Sequence, residues 1–73
     1  MNHYQRLKDI REDADITQEE LAKIFGTSPQ QISKWERGVQ EAKISKYILY
    51  AEYFNVSLDY LAGLTNVMSP YKK

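Results

Sequence analysis

The sequence contains no cysteine and only one histidine among its 73 residues. Without cysteine no disulfide framework or thiolate metal site can form, and one histidine is too few to assemble a zinc site from the usual ligands. We therefore expect neither a metal nor a cofactor. The absence of cysteine also favours a reducing, cytoplasmic location.

Long apolar runs are missing as well. No stretch approaches the roughly 18 consecutive apolar residues that a membrane-spanning helix requires, and the opening MNHYQRLKDI is too polar for a signal peptide. The sequence therefore predicts a soluble protein that does not contact a membrane.

Neither sign of charge prevails, because ten basic and ten acidic side chains cancel. The overall charge therefore does not indicate a polyanionic partner, and binding to one must come from the local placement of cations. A chain of 73 residues has room for one domain with a small core, which argues against a buried enzyme cleft. No nucleophile and base, carboxylate pair or phosphate-binding loop is recognisable, so we expect no enzymatic activity.

What the sequence does contain is a series of helical patterns separated by capping signals. Residues 3–14 repeat apolar side chains every three or four positions, which predicts a first helix with Arg6 on its polar side. Thr17 and Glu20 form a capping-box pattern for a second helix that ends at Gly26. The predicted buried side chains are Tyr4, Leu7, Ile10 and Ala14 on the first helix and Leu21, Ile24 and Phe25 on the second.

The third helix carries clear signals at both ends. Ser28 is its N-cap, Pro29 occupies the first helical position, where a missing N–H costs nothing, and Gln31 is placed to return the capping hydrogen bond. Gly38 ends this helix, because glycine adopts a left-handed backbone at a helix C-terminus at little cost.

A fourth helical pattern follows the connector VQEAK, and a fifth begins after Ser57 as its N-cap. The predicted buried side chains are Ile44, Tyr47, Ile48, Ala51 and Phe54 on the fourth helix and Leu58, Leu61 and Leu64 on the fifth, which has Gly63 near its end. The last stretch, TNVMSPYKK, contains Pro70 and has no periodicity, so we expect a frayed tail there. We place the domain at residues 1–66 and the tail at residues 67–73.

Two capped helices joined through Gly26 by a turn of three or four residues predict a helix-turn-helix. Ala22 lets the two helices approach closely, while Ile32 and Trp35 hold the second against the first. We interpret Trp35 as a core residue rather than an exposed stacking platform, because it shares the inward side of the third helix with Ile32.

At about 100° per residue, the side of the third helix opposite Ile32 and Trp35 is polar. Glutamine binds adenine through two hydrogen bonds, lysine or arginine reaches guanine O6 and N7, and Pro29 could pack against a thymine methyl group. Unpaired amides at the start of the second helix favour nearby phosphates, and Gln18 could reinforce such a contact. This polar side, which we call the reading side, consists of Gln30, Ser33, Lys34 and Arg37.

The charge distribution supports this orientation only slightly. Residues 27–46 carry four basic and two acidic side chains, whereas residues 1–26 carry four basic and six acidic ones. We therefore expect few phosphate contacts from each monomer, and an affinity that depends on dimerisation and on direct contacts with bases.

The stretches TQEELAKIFGTSPQQISKWERG and YFNVSLDYLAG resemble the Cro and lambda-repressor family, also called the xenobiotic-response-element family of bacterial and phage regulators. The resemblance extends from Leu7 to Leu64. It implies an all-α, five-helix, lambda-repressor-like domain that binds double-stranded operator DNA as a homodimer, with the helix over residues 28–37 in the major groove.

Position by position, the resemblance also implies roles for individual residues. The family's base-reading positions correspond to Ser28, Pro29, Gln30, Ser33 and Lys34, and its phosphate contacts to Gln18, Arg37 and Lys43. A buried ion pair of the family corresponds to Arg11 and Glu36. The chain departs from the family where Pro29 replaces a polar reader and where Lys43 replaces a small residue that caps the fourth helix.

The leading hypothesis is a sequence-specific transcriptional regulator, a repressor that acts as a dimer. The alternative is a protein-binding module on the same scaffold, of the antitoxin or antirepressor type. Leu49 and Tyr53, exposed together on the fourth helix, could contact such a partner or a second copy of the chain. Family dimers commonly form through the region of the fifth helix, which corresponds to Tyr60, Leu64, Val67 and Met68.

Overall fold

The computed structural model describes residues 3–70, and within this range the chain forms five α-helices and no β-strand. The predicted all-α, five-helix fold is confirmed, although the first helix is shorter than residues 3–14 and the fifth ends before Gly63. None of the five helices is both long and apolar enough to cross a membrane. In chain order they are α1 (Gln5–Asp13), α2 (Gln18–Phe25), α3 (Pro29–Arg37), α4 (Ile44–Phe54) and α5 (Leu58–Leu61).

Hydrogen bonds at the helix ends reproduce most of the predicted caps. At α2, Thr17 Oγ1 accepts from the Glu20 N–H at 3.1 Å, and Glu20 Oε1 accepts from the Thr17 N–H at 2.9 Å. The second bond lowers the pKa of the Glu20 carboxyl, because it stabilises the ionised form. At α3, Ser28 Oγ accepts from the Gln31 N–H, but the Gln31 amide donates to Gln40 Oε1 at 2.7 Å. Among residues 3–70, Gln31 Oε1 accepts no hydrogen bond from the Ser28 N–H, so the predicted return bond from Gln31 to Ser28 is wrong.

Each helix contributes one completely buried side chain to a shared core. Trp35 belongs to the same core, with 6% of its surface exposed. The prediction that Trp35 is a core residue is confirmed. An aromatic cluster joins α2 and α3 to α4, because the Tyr50 ring centre lies 4.9 Å from that of Phe25 and 6.5 Å from that of Trp35. Among residues 3–70, these five completely buried side chains are Leu7, Leu21, Ile32, Tyr50 and Leu61.

The predicted buried stripe of α4 is wrong in part. This helix faces the core with Tyr47 and Tyr50, whereas Ile44 and Ile48 are 68% and 41% exposed. The reason is the aromatic cluster: Tyr50 occupies its centre, so the helix is rotated to point this ring inward and the two isoleucines outward.

Four further side chains predicted to be buried are exposed, each for a local reason. Helix α2 packs inward through Leu21 and Ala22, whereas Ile24 on the same helix points away from the core. Two others lie beyond the last residues of α1 and α5, where the helical periodicity no longer applies. The fourth is the first residue of α5, a helix of four residues that packs inward through Leu61. The four residues are Ile24, Ala14, Leu64 and Leu58.

Arg6, predicted on the polar side of the first helix, is instead buried. Its guanidinium donates to the carbonyl oxygens of Tyr60, at 2.8 Å, and Thr65, and to Asn66 Oδ1 at 2.9 Å. It also lies 4.3 Å from the centre of the Tyr60 ring. The prediction was wrong because a guanidinium carries five donors, and here they bind oxygens at the end of α5 and in the segment after it.

The segment that follows α5 is held against the domain. Besides the contacts of Arg6, the Ser57 N–H donates to the Met68 carbonyl at 2.8 Å, and the Ser57 hydroxyl donates to the Val67 carbonyl at 3.2 Å. The expectation of a frayed tail is therefore wrong for residues 65–68, which are fixed by partners far away in the sequence. Residues 71–73 of the predicted tail lie outside the described residues.

Among the described residues, the hydroxyl of Tyr50 is buried without a hydrogen-bond partner, and burial raises its pKa. An unsatisfied buried polar group costs about 1–3 kcal/mol. We expect Tyr50→Phe to increase the free energy of unfolding by about 1 kcal/mol in urea denaturation. Tyr53→Phe is the matched control, since the Tyr53 side chain is 48% exposed, and it should change stability by less than about 0.5 kcal/mol. A loss of stability in Tyr50→Phe would contradict this account.

Candidate nucleic-acid interface

Helices α2 and α3 form a helix-turn-helix whose turn is made by Gly26, with a φ angle of +70°. The Thr27 N–H donates to the Ala22 carbonyl at 2.9 Å and ends α2. Ala22 is 1% exposed and Ile32 is completely buried, so the two helices meet where the sequence has a small residue. Helix α3 is thus held by its apolar side, and its reading side faces outward.

The structure brings six of the predicted DNA-binding residues together around one open concavity. Gln30, Lys34 and Arg37 are exposed there, whereas Pro29 and Ser33 are half-buried. Several side-chain donors therefore point into the same space. The six lining residues are Gln18, Pro29, Gln30, Ser33, Lys34 and Arg37.

The other two predicted DNA-binding residues, Ser28 and Lys43, lie outside this concavity. Ser28 is exposed at the start of α3, where its Oγ accepts the capping hydrogen bond at 3.2 Å. Lys43 is exposed and stands at the N-cap position of α4, but its side chain makes no capping bond. The two residues flank α3 along the chain.

One contact fixes the orientation of a cation on the reading side. Arg37 Nε donates to Ser33 Oγ at 3.0 Å, across one turn of α3. The bond uses only one of the five guanidinium donors, so the others are directed away from Ser33. The arrangement suits a phosphate or the acceptor edge of guanine, both of which accept two parallel hydrogen bonds from arginine.

Behind the reading side lies the ion pair of Arg11 and Glu36, whose side chains are 9% and 2% exposed. Arg11 Nε donates to Glu36 Oε2 at 2.6 Å, and Arg11 Nη2 donates to Glu36 Oε1 at 3.1 Å. The remaining Nη1 donates to the Ile16 carbonyl at 2.7 Å. The hydrogen bonds that Arg11 donates to Glu36 raise the pKa of Arg11, although burial acts in the opposite direction.

Gln18 connects this buried pair to the surface. Its Nε2 donates to Glu36 Oε1 at 3.1 Å, and the side chain also lines the open concavity. An amide nitrogen carries two hydrogens, so the second is free to donate to a group outside the protein. The buried carboxylate therefore orients a residue predicted to contact phosphate.

Sequence reasoning assigned no role to Lys8, which the structure places in a second concavity beside the first. Its spacing of three residues from Arg11 indicated that both share one side of α1, but that signal was not used. Among residues 3–70, no group of three or more histidine, aspartate and glutamate side chains could hold a metal ion.

Comparison with known proteins gives a family and relatives for this arrangement. A family model for helix-turn-helix domains, HTH_3, matches residues 7–61. The crystal structure of the P22 c2 repressor in complex with a synthetic operator has a TM-score of 0.79 and 28% sequence identity to this chain. The match covers 89% of this chain and 98% of the repressor chain.

Three relatives are similar in sequence. An uncharacterized HTH-type transcriptional regulator of Bacillus subtilis, YobD, is 30% identical over 66 residues, covering 90% of this chain and 59% of the relative. The antitoxin PezA of Streptococcus pneumoniae is 30% identical, with 88% and 40% covered. The Bacillus subtilis HTH-type transcriptional regulator ImmR is 32% identical, with 85% and 49% covered. The chain thus spans between 40% and 59% of the length of these relatives.

Replacement of the buried cation should be strongly destabilising. Arg11→Met leaves the Glu36 carboxylate buried without its partner, and we expect a loss of about 3–5 kcal/mol in the free energy of unfolding. The double variant Arg11→Met with Glu36→Leu removes both charges and should recover most of this loss. Urea denaturation of the three proteins measures the difference. Equal stability of Arg11→Met and the unmodified protein would contradict the burial of the pair.

Proposed function

The chain belongs to the HTH_3 helix-turn-helix family, and from this premise we propose that it is a sequence-specific transcriptional regulator that binds double-stranded DNA. It acts as a repressor, by occupying operator DNA as a homodimer in the cytoplasm, and it has no enzymatic activity. Its contacts with DNA come from the reading side of α3 and from the residues that flank it. The DNA-binding residues are Gln18, Ser28, Pro29, Gln30, Ser33, Lys34, Arg37 and Lys43.

The observation that carries this proposal is the division of α3 into two sides. Ile32 and Trp35 are buried against the rest of the domain, while Gln30 and Lys34 are exposed on the opposite side. A helix held in this way enters the major groove with its polar side toward the base edges. Gln30 then binds adenine, and Lys34 binds guanine O6 and N7. The similarity to a repressor solved with its operator supports the same orientation.

Dimerisation supplies what one monomer lacks. A single α3 contacts only a few base pairs, and the net charge of zero gives little attraction to DNA as a whole. A second copy doubles both the base contacts and the phosphate contacts. The surface proposed for this contact consists of Leu64, Val67 and Met68, which are 78%, 62% and 42% exposed.

A protein-binding module is the second candidate. Leu49 and Tyr53 are 37% and 48% exposed on α4, away from the reading side, and one similar protein is an antitoxin. Stoichiometric binding to a protein partner that is unaffected by Gln30→Ala and Lys34→Ala would favour this function over DNA recognition.

Selection of bound sequences from random DNA, followed by a gel-shift assay at low salt, tests the main proposal. We expect enrichment of a palindrome whose half-sites lie about one helical turn apart, 10–10.5 base pairs. A palindrome supports both the DNA recognition and the dimer. Enrichment of a single half-site would contradict the dimer, and the absence of any preferred sequence would refute the regulator itself.

Lys34 and Arg37 should differ in their effects on binding. Lys34→Ala should cost about 1–3 kcal/mol at the preferred operator and relax the preference at one base position, because Lys34 contacts a base. Arg37→Ala should weaken all sequences alike and reduce the salt dependence, because Arg37 contacts a phosphate. Binding curves on the selected operator and its single-base variants measure both effects. Indistinguishable behaviour of the two variants would show that these roles are wrongly assigned.

A further inference from the structure

The concavity on the reading side does not end at α3. A second concavity adjoins it and extends onto the N-cap and the first turn of α1. The two share Gln18, Ser33 and Arg37, so they lie side by side across both helices. On the α1 side the second concavity is lined by Tyr4, Gln5 and Lys8.

The charges that face the second concavity leave it positive. Lys8 and Arg37 both line it, and among residues 3–70 neither forms an ion pair. Glu36 is the one carboxylate in its lining, but that charge is buried and compensated by Arg11. Asp9 accepts a hydrogen bond from Gln5 Nε2 at 3.2 Å and does not line the concavity.

Two anchors fix the position of Lys8 relative to α3. One turn before it, the Tyr4 ring packs so closely against Gly38 that a Cβ atom there would collide with the ring. One turn after it, Arg11 is held by Glu36. Tyr4, at the N-cap of α1, and Lys8 and Arg11 within the helix lie at spacings of four and three, which places them on one side of it. The ammonium group of Lys8 is therefore carried on a short, rigid section of α1 beside the C-terminal end of α3.

We propose that Lys8 and Arg37 together bind a backbone phosphate of the DNA duplex, and that α1 is thereby a second DNA-contacting element. Two cations that face one cleft repel each other, and an anion between them relieves this repulsion. This inference rests on the proposed function, because the DNA held by α3 supplies the phosphate. This phosphate contact fixes the position of the domain along the DNA backbone, and so it sets the register of α3 in the major groove.

The test uses the operator obtained by selection and measures the dissociation constant of the protein against salt concentration. Lys8→Gln should make the plot of log Kd against log salt shallower by about 0.9 for each protomer bound, without a change in base preference. Lys23→Gln is the matched control, because Lys23 is an exposed lysine on α2 that lines neither concavity.

A scan of neutral methylphosphonates along the operator locates the phosphate. At one phosphate, the substitution should weaken binding of the unmodified protein more than binding of Lys8→Gln or of Arg37→Gln, since each variant has lost one of the two cations that bind that phosphate. An equal loss of binding by Lys8→Gln and the unmodified protein at every phosphate would overturn the inference, as would a salt slope equal to that of Lys23→Gln. In either case, continued binding of the unmodified protein to its operator leaves the proposed function standing.

Discussion

The fold and its outward surface both depend on the buried pair of Arg11 and Glu36. One carboxylate accepts three hydrogen bonds, two from α1 and one from Gln18 at the start of α2, while belonging itself to α3. The same guanidinium also binds the Ile16 carbonyl in the connection between α1 and α2. Because charges that are buried together need nearly complete hydrogen bonding, only one relative placement of these three helices satisfies them all. That placement determines which side of α3 faces outward.

The distribution of arginine explains how a chain without net charge presents a positive surface. It has three arginines, and two of them are buried in the domain: Arg11 binds Glu36, and Arg6 binds the segment after α5. The burial of Glu36 also withdraws a negative charge from the side of α3 that carries Lys34 and Arg37. The local electrostatics therefore follow from which charges are buried rather than from their number.

Arg6 holds the segment after α5 in place. Its guanidinium binds oxygens of residues 60, 65 and 66, and Ser57 binds the carbonyls of residues 67 and 68. These contacts fix a segment that has no helical hydrogen bonds of its own, and so they hold Leu64, Val67 and Met68 outward in a defined arrangement. The surface proposed for a second copy is thus held by the same helix, α1, that also lines the concavity beside the reading side.

The sequence alone determined the five helices, their caps at Thr17, Ser28 and Ser57, and the division of α3 into an apolar and a polar side, because these depend on neighbours within about four residues. Tertiary structure decided what depends on distant partners: the rotation of α4 about Tyr50, the burial of Arg6 and the order of residues 65–68. Periodicity counts apolar residues but does not weigh a large aromatic ring against an isoleucine, nor does it locate the distant oxygens that a buried guanidinium binds. For the same reason, the packing of α1 against α3, and not the sequence alone, decides that Lys8 and Arg37 line one concavity.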